Sequence, residues 1–505
     1  MVLLLVVLVF IPSDVSATPN VQAASSTAVI SYVSGSSQKI CQLTGETDFQ
    51  FNRPTSSQTE TRYGLVRADH GYSFEHDGKL FFLFGDSGPT PTFNGKPNLD
   101  RDPPRDKGLH NDAIGYVSSI ASISSLDQCL RLDFVVDEIG AYKNPVVLNA
   151  QGQSAITLRV DESPMAGIDD GGRMFVTFKT DNIVYPTPGP SKGDLGQSTR
   201  AAVGVSSDDA NTWHYIYDLS KPSTPGASDA KFVNNAFAQG SDGYLYIWGT
   251  EGGKSYRESP VFLARKPVGS MSSLNPIQYL QAVNPDGAPV FASSEGDASP
   301  LFHDSPSDCA GEVGVEWNQF VHSWVMLYEC SNNTPANSHG IWMRVAQQPW
   351  GPWSAPQTIF NRDDGLCVFI HRAVNSKNPT PCDNLSTPGP DGSDRSDQSG
   401  ATYAPYFISR FNTGDAAHGT STFYWNLATF NPYTQVIMKT TIQSSTAAPS
   451  TSNSGTTQSS PSMLLRTSEF TGGNSRVYLP DQAYLTAIAV VSATCLSVAI
   501  RTLKR

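Results

Sequence analysis

Five short apolar runs recur along the chain, and each is rich in aromatic and β-branched residues. The runs occupy Lys79–Asp86, Arg173–Asp181, Tyr244–Thr250, Trp324–Cys330 and Thr422–Phe430. Such runs are typical of β-strands, and tight-turn sequences such as Asp77-Gly78 and Asp242-Gly243 precede several of them. Charged residues make up only 16% of the chain, and glycine and proline are abundant. The pattern therefore predicts an all-β protein with frequent turns.

The spacing of the runs predicts the architecture. They recur about every 70 to 100 residues, which suits four-stranded blades with long loops. One run per blade predicts a five-bladed β-propeller over residues 31–443, and a pair of β-sandwiches is the alternative. The segment from Ser206 to Trp213 resembles the Asp-box turn of sialidases and other propellers (S-x-D-x-G-x-T-W), with Ala210 in place of the glycine. We expect Asp208 to cap that turn and Trp213 to pack beneath it, so both are structural.

The two ends of the chain carry signals of export and anchoring. Residues 1–24 begin with about ten apolar residues followed by small ones, which predicts a secretory signal peptide, although the usual positive start is missing. A buried N-terminal strand is the alternative. Residues 444–482 include a Ser/Thr-rich stretch and predict a stalk. The apolar run in 483–501 is a candidate transmembrane helix at the lower limit of length, with a basic tail after it. A docked amphipathic helix is the alternative, because a lipid-anchor signal would not end in basic residues.

The cysteines and glycosylation sequons agree with export. Six of the seven cysteines form near pairs along the chain: Cys41 and Cys129, Cys309 and Cys330, Cys367 and Cys382. An even set in a secreted chain predicts disulfides, although spacing leaves their connectivity open. Asn332 and Asn384 stand in sequons that would be glycosylated only after export. We therefore expect an extracellular glycoprotein of fungal type, either free or held at the cell surface by its C-terminal helix.

Charge and composition narrow the partners. The net charge is −12, and no cluster of Lys and Arg occurs outside the last five residues, so nucleic acid is not an expected partner. No CxxC pair or histidine cluster occurs, so we expect neither a metal site nor a cofactor, although a structural cation on the propeller axis stays open. The expected partner is a polysaccharide or another glycan, and the expected state is a monomer.

Two aspartates are the candidate catalytic residues. We expect Asp69 just before the first strand of a hairpin and Asp86 at the end of the next strand, so the two come close together. Paired carboxyl groups suit glycoside hydrolysis, in which one protonates the leaving oxygen and the other acts as base or nucleophile. Their proximity would also separate their pKa values. The alternative for Asp86 is a turn position, because Gly-Asp-Ser-Gly is typical of turns.

Several other residues are candidates for binding substrate or tuning these carboxyl groups. They are His70, Asp112, Glu162, Arg257, Glu312 and Tyr403. Arg257 is suited to bind a substrate hydroxyl or to hold a carboxylate in place. For each acidic residue taken alone, a solvated loop position is the alternative.

An ordered series of motifs over about residues 60–440 resembles one known family. The motifs include Ala68-Asp-His-Gly, Leu83-Phe-Gly-Asp-Ser, Asn111-Asp-Ala-Ile, Gly311-Glu-Val-Gly-Val-Glu-Trp-Asn, Pro349-Trp-Gly-Pro-Trp-Ser and Phe423-Tyr-Trp-Asn. The series resembles the propellers of domain of unknown function 4185, which are linked to the endo-D-arabinanases of glycoside hydrolase family 183. The resemblance implies a five-bladed propeller, hydrolysis of furanosides, and Asp69 and Asp86 as the central acidic pair. The sequence departs from the family pattern where the usual Asp-Leu-Gly is Asp-His-Gly, which puts His70 beside the proposed acid, and where Gly-Asp-Thr is Gly-Asp-Ser.

Three functions compete at this point. The first is a secreted or surface-anchored glycoside hydrolase of the endo-arabinofuranosidase type, acting on a D-arabinan-like polymer or on another arabinofuranose or galactofuranose polymer. The second is a lectin or adhesin that binds glycan without turnover and is held out on the stalk. The third is a sialidase-like enzyme, which ranks last because no convincing arginine triad accompanies the single Asp box.

Overall fold

The computed structural model describes most of the chain between residues 28 and 446. The described segments are 28–98, 111–118, 120–126, 129–158, 162–181, 198–224, 227, 229–253, 257–330, 340–374, 382–388 and 394–446. The predicted signal peptide, the predicted stalk beyond residue 446, the candidate transmembrane helix and the sequon at Asn332 lie outside them. Within the described segments, no helix has the length and apolar character needed to cross a membrane.

The described residues fold almost entirely into strands. In chain order the strands are β1 (Ala28–Tyr32), β2 (Gln38–Gln42), β3 (Thr47–Asp48), β4 (Arg53–Pro54), β5 (Leu65–His76), β6 (Lys79–Pro89), β7 (Thr92–Phe93), β8 (Lys96–Pro97), β9 (Asn111–Val117), β10 (Asp133–Phe134), β11 (Val147–Leu148), β12 (Ser163–Asp169), β13 (Met174–Thr180), β14 (Arg200–Ser206), β15 (Trp213–Ser220), β16 (Asn234–Gln239), β17 (Tyr244–Thr250), β18 (Phe262–Pro267), β19 (Gln278–Val283), β20 (Pro289–Ala292), β21 (Ala310–Asn318), β22 (Ser323–Cys330), β23 (Gly340–Ala346), β24 (Gln357–Asn361), β25 (Ala401–Phe407), β26 (Thr413–Asp415), β27 (Thr420–Phe430) and β28 (Thr434–Thr446). The helices are α1 (Thr59–Tyr63), α2 (Arg362–Gly365) and the 3-10 turns Ile120–Ser122, Glu295–Asp297 and Ser409–Phe411.

Five antiparallel sheets form the blades of a propeller. Blade 1 is β5-β6-β9-β10, blade 2 is β12-β13-β14-β15 with β11 added in parallel, blade 3 is β16 to β20, blade 4 is β21 to β24, and blade 5 is β25-β27-β28-β1. The first strands β5, β12, β16, β21 and β25 each contact the next, and β25 contacts β5, so they close a ring around an axis. This arrangement confirms the predicted five-bladed propeller and excludes the pair of sandwiches.

The five apolar runs became the second strands of the five blades, β6, β13, β17, β22 and β27. A second strand is covered on both faces by the neighbouring blades, so its sequence is apolar almost throughout rather than alternating. Every residue of β13 and β22 is buried. Large side chains fill the gaps between blades, as where Trp248 of blade 3 meets Trp324 of blade 4 with ring centroids 5.2 Å apart.

The two ends of the described chain close the ring. In blade 5, β1 pairs with β28 from Ala28↔Thr446 to Tyr32↔Ile442, and β2 pairs with another part of β28. The Cys41–Cys129 disulfide links β2 to the segment before β10 of blade 1. The other disulfides are Cys309–Cys330 and Cys367–Cys382, so all three predicted near pairs are confirmed.

The segment from Ser206 to Trp213 is the predicted Asp-box turn, between β14 and β15. The Asp208 carboxylate accepts hydrogen bonds from the Thr212 backbone N–H (2.9 Å) and from the Thr212 hydroxyl (2.6 Å). Trp213 is fully buried beneath the turn. Ala210 takes the glycine position at φ +67°, which is a left-handed conformation. The prediction that this turn is structural is confirmed.

Candidate active site

Three carboxylates gather on three adjacent strands of blade 1. Asp69 of β5 lies opposite Gly85 of β6, and Asp112 of β9 accepts a hydrogen bond from the Asp86 backbone N–H at 3.2 Å. The pairing register of β5 and β6 shifts at Arg67/Asp69, and that of β6 and β9 shifts between Phe84 and Ser87. Such bulges re-aim side chains next to functional sites. Because of these bulges, strand pairing continues past the acids, and both Asp69 and Asp86 lie inside their strands. The expectation that Asp69 precedes its strand and that Asp86 ends the following strand is therefore wrong.

The backbone around the pair is held in unusual conformations. His70 has φ +62° and Asp86 has φ +37°, both in the left-handed region that non-glycine residues rarely adopt. The missing side chain of Gly85 makes space for the Asp69 and His70 side chains, because a Cβ there would lie 2.7 Å from Asp69 Oδ1 and 2.4 Å from His70 Cδ2. The Gly-Asp-Ser-Gly segment therefore belongs to a bulged strand, and the alternative of a plain turn is wrong.

The two oxygens of Asp69 have different surroundings. Oδ2 accepts hydrogen bonds from the hydroxyls of Tyr433 (2.6 Å) and Tyr403 (3.2 Å). Oδ1 is buried without a hydrogen-bond partner, and His70 Nε2 lies 3.6 Å away. Burial raises the pKa of Asp69, and the Tyr433 hydrogen bond and the positive charge of Lys179 oppose this rise. Burial lowers the pKa of His70 to about 3, so the ring beside Asp69 is neutral.

Asp112 is the most completely buried of the three acids. It is 1% exposed, and its Oδ2 has no hydrogen-bond partner. Burial, followed by the negative charges of Asp86 and Asp69, raises the pKa of Asp112 well above its usual value. Asp86 itself is half-buried. The arrangement therefore combines two buried carboxyl groups with raised pKa values, those of Asp69 and Asp112, with the half-buried Asp86 beside them.

An ion pair from blades 3 and 4 faces these acids. Arg257, which precedes β18, binds the Glu329 carboxylate at the end of β22, and its guanidinium lies 5.0 Å from the centroid of the Tyr403 ring. Burial raises the pKa of Glu329 to about 8 although Arg257 lowers it. The carboxylate that Arg257 pairs with is thus that of Glu329.

Electrostatic contacts show that the remaining groups belong to the same cluster. The positive charge of Lys179 in blade 2 lowers the pKa of Asp69, Asp112 and Glu329. The negative charge of Glu312, at the start of β21, raises the pKa of His70 and Glu329. We call Asp69, Asp86, Asp112, Lys179, Arg257, Glu312 and Glu329 the axial cluster; it lies where the innermost strands begin, on what we call the carboxylate face. The cluster contains five acids and only two cations. Ionising all five carboxyl groups would therefore cost free energy, because the negative charges repel one another.

The structure brings nearly all the predicted site residues together. Asp69, His70, Asp86, Asp112, Arg257, Glu312 and Tyr403 meet in or against the axial cluster. Glu162 is buried and immediately precedes Ser163, whose Cβ lies 2.9 Å from the Cβ position of Gly85, so Glu162 borders the site from blade 2. Sequence reasoning missed Lys179, Glu329 and Tyr433. The sequence carries a signal for Lys179 and Glu329, because each is a charged residue near the end of one of the five apolar runs, as Asp86 is.

Among the described residues, one group of metal-type ligand atoms lies within 4.8 Å of one another, and it consists of Cys367, Cys382 and Asp383. Its two cysteines are joined in a disulfide, so they offer no thiolate ligands.

The chain is similar to one family of proteins and to several solved structures. Residues 55–439 match the family model described as Domain of unknown function (DUF4185), a segment that contains the innermost strands of all five blades. No curated protein matches the sequence. The chain is similar to the solved structure of a proposed hydrolase from Bacteroides ovatus, with 13% identity over 76% of this chain and 87% of that chain and a TM-score of 0.43. It is also similar to a thermostable family-43 glycoside hydrolase (12% identity, 76% and 92% covered, TM-score 0.37). A further similar structure is the α-L-arabinofuranosidase from Podospora anserina in complex with cellotriose (8% identity, 81% and 98% covered, TM-score 0.36).

Proposed function

The chain belongs to the DUF4185 family, and from its axial cluster we propose that it is a glycoside hydrolase that cleaves a furanose-containing polysaccharide of the D-arabinan type. One observation carries the proposal. Asp69 is buried and one of its oxygens lacks a hydrogen-bond partner, and the half-buried Asp86 lies on the adjacent strand. Two carboxyl groups in different environments are what acid/base cleavage of a glycosidic bond requires.

The surroundings of the pair suggest a division of roles. Asp69 acts as the general acid, because its raised pKa keeps a proton on it at higher pH than on a carboxyl group in water. That proton sits on Oδ1, since Oδ2 already accepts two tyrosine hydroxyls. Asp86 acts as base or nucleophile. Asp112 accepts a hydrogen bond from the Asp86 backbone, and its raised pKa favours its neutral form, which spares Asp86 a neighbouring negative charge.

The furanose substrate and the place of action rest on the sequence. The Asp-x-Gly and Gly-Asp-Ser segments that resemble the endo-D-arabinanases contain the two proposed catalytic acids. We further propose that the protein acts outside the cell, free or anchored at the surface. Three disulfides suit an oxidising compartment, and Asn384 is exposed, as a glycosylated residue must be.

The test is release of reducing sugar from linear D-arabinan, L-arabinan and galactofuranan by the secreted full chain. Asp69→Asn and Asp86→Asn should each lower turnover by about 10²- to 10⁴-fold, because each removes one proton-transfer or nucleophilic group. Asp415→Asn is the matched control: Asp415 is exposed and pairs with His418 outside the axial cluster, so this variant should keep full activity. Undiminished activity in both axial variants would contradict the assignment. Binding of these polymers with no turnover by the wild type would favour a glycan-binding propeller instead.

A further inference from the structure

The far face of the propeller, where the innermost strands end, has a hollow between blades 3 and 4. It has a volume of about 450 Å³, within the roughly 300–1,000 Å³ typical of small-ligand sites. Its lining is Gln239, Gly240, Ser241, Asp242, Tyr246, Trp317, Trp324, Gln347, Gln348 and Pro349. Trp317 lies five residues after Glu312 on β21, which corresponds to about 16 Å along the strand. The hollow is therefore separate from the axial cluster.

The aromatic wall of this hollow is open to solvent and rigidly supported. Trp317 is 42% exposed although it lies within a strand. It packs edge-on against Trp324, with centroids 5.6 Å apart, and Trp324 in turn contacts Tyr246 at 6.1 Å. An exposed indole held by buried aromatic rings offers a fixed apolar surface at low cost in conformational entropy.

The polar part of the lining is mostly uncharged. Three glutamine amides and the Ser241 hydroxyl can both donate and accept hydrogen bonds. Gln347 is oriented by the bond from its Nε2 to Ser323 Oγ at 2.7 Å. The acid in the lining, Asp242, accepts a hydrogen bond from the Tyr246 hydroxyl at 2.7 Å, so its carboxylate helps to hold the aromatic wall in place. A flat apolar surface edged by amides suits the faces and hydroxyl groups of a neutral sugar ring.

A second hollow extends the first. It has a volume of about 330 Å³, shares Gln347 with the first hollow, and reaches blade 5 at Gly419 and Ser444. Two adjoining hollows along one face suit consecutive units of a linear chain rather than a single small molecule.

We propose that this groove on the far face binds a neutral, linear oligosaccharide segment without cleaving it, with one sugar ring stacked on Trp317. The proposal goes beyond the hydrolase function and does not depend on it. If both hold, the groove would keep the enzyme on a polymer between cleavage events.

The test uses full-length Asp86→Asn protein labelled with 5-fluorotryptophan, so that turnover plays no part. Arabinan, galactofuranan and cello-oligosaccharides are the neutral probes, and polygalacturonate is the anionic one. The chain has 8 tryptophans, and Trp317→Phe assigns the ¹⁹F resonance of Trp317. That resonance should move on adding a neutral probe and stay in place with polygalacturonate. Trp317→Ala should weaken binding of the same probe about tenfold, the loss of one aromatic anchor.

Phe51→Ala is the matched control, because Phe51 is also an aromatic residue 42% exposed and does not line either hollow. It should leave binding unchanged. If Trp317→Ala fails to fold, the shift of the Trp317 resonance in the parent protein still decides the question. A Trp317 resonance that no neutral probe moves, or undiminished binding by folded Trp317→Ala, would overturn the proposal. Because hydrolysis is not measured, absence of turnover would count against the proposed function alone.

Discussion

Asp69 accepts two hydrogen bonds on Oδ2 and none on Oδ1, and in the proposed reaction this asymmetry places the proton on Oδ1. Hydroxyl donors stabilise a carboxylate more than a carboxylic acid, so Tyr433 and Tyr403 hold down a pKa that burial raises. In the proposed reaction, the tyrosines thereby keep Asp69 able to release its proton to a leaving oxygen and to regain it afterwards.

Tyr433→Phe tests this balance through the pH dependence of kcat/KM. The variant loses the 2.6 Å hydrogen bond to Asp69 Oδ2, so the pKa of Asp69 rises further. If Asp69 is the acid, its protonated form is active, and the alkaline limb of the profile should move up by about one pH unit. Tyr217→Phe is the control, since its hydroxyl bonds the Met271 carbonyl and not Asp69. A shift of the limb to lower pH would contradict the role of Asp69 as acid.

Gly85→Ala tests the spatial requirement beside the same carboxyl group. The new methyl group would overlap Asp69 Oδ1 and the His70 ring, both buried and unable to yield freely, so turnover should fall at least about tenfold with a stability loss of about 1–3 kcal/mol. Gly296→Ala is the matched control, because its nearest atom, Ser294 Oγ, lies 3.5 Å from the new Cβ. Reducing-sugar assays and urea unfolding measure both effects. Wild-type turnover in Gly85→Ala would show that the pair has more room than the geometry indicates.

Single residues of the site differ in how well the sequence predicts them. Asp86 is the last residue of one apolar run and Asp69 precedes that run, and the sequence predicts both. Lys179 and Glu329 occupy comparable places near the ends of other runs, so comparing the run ends would have found them too. Tyr433 lies more than 360 positions from Asp69, and only the closure of the ring brings the two together. No local pattern predicts such a contact.

At the scale of elements, the second strands were predictable and the bulges were not. Burial on both faces makes a second strand apolar along its whole length, which is visible in the sequence. The register shifts in β5 and β6 depend on how three strands and the next blade fit together. The outer strands β10 and β24 are short or partly exposed and lack a comparable signal.

The Asp-box turn between β14 and β15 allows an independent prediction. Ala210 stands at φ +67°, a conformation that costs an L-residue about 1 kcal/mol and glycine almost nothing. Ala210→Gly should therefore raise the free energy of unfolding by about 0.5–1 kcal/mol in urea titrations. Ala201→Gly, within β14 and also buried, should lower it. A loss of stability in Ala210→Gly would mean that the buried methyl group matters more than the backbone conformation.

At the scale of the whole molecule, the ring is closed by contacts between distant parts of the chain. β1 and β2 complete blade 5, and the disulfide between Cys41 and Cys129, 88 positions apart, joins this closing segment to blade 1. Closing so long a loop removes much conformational freedom from the unfolded chain, which stabilises the fold by about 4.6 kcal/mol in the chain-entropy model. The carboxylate face depends on this closure, because Asp69 comes from blade 1 and its partners Tyr403 and Tyr433 come from blade 5.

The closed ring also buries acids that would be solvated in the open chain, and this makes its stability depend on pH. Glu316 of β21 is 3% exposed, Asn412 bonds its Oε1 at 2.8 Å, and its Oε2 has no hydrogen-bond partner. Burial raises the pKa of Glu316 to about 7, above the value of 4.5 that a glutamate has in the unfolded chain. The folded state therefore binds the extra proton, so this contribution is fully present below pH 4.5 and is lost as the pH rises through 7.

Glu316→Gln should remove that loss, since the amide stays neutral at every pH. Relative to the wild type, the variant should gain on the order of 3 kcal/mol in unfolding free energy between pH 4.5 and pH 8. Urea unfolding across this range measures the difference, and Glu258→Gln, at an exposed position, should show no such trend. A difference between Glu316→Gln and the wild type that stays constant with pH would mean that Glu316 ionises in the folded protein as it does in water, and that the space between blades 4 and 5 admits solvent.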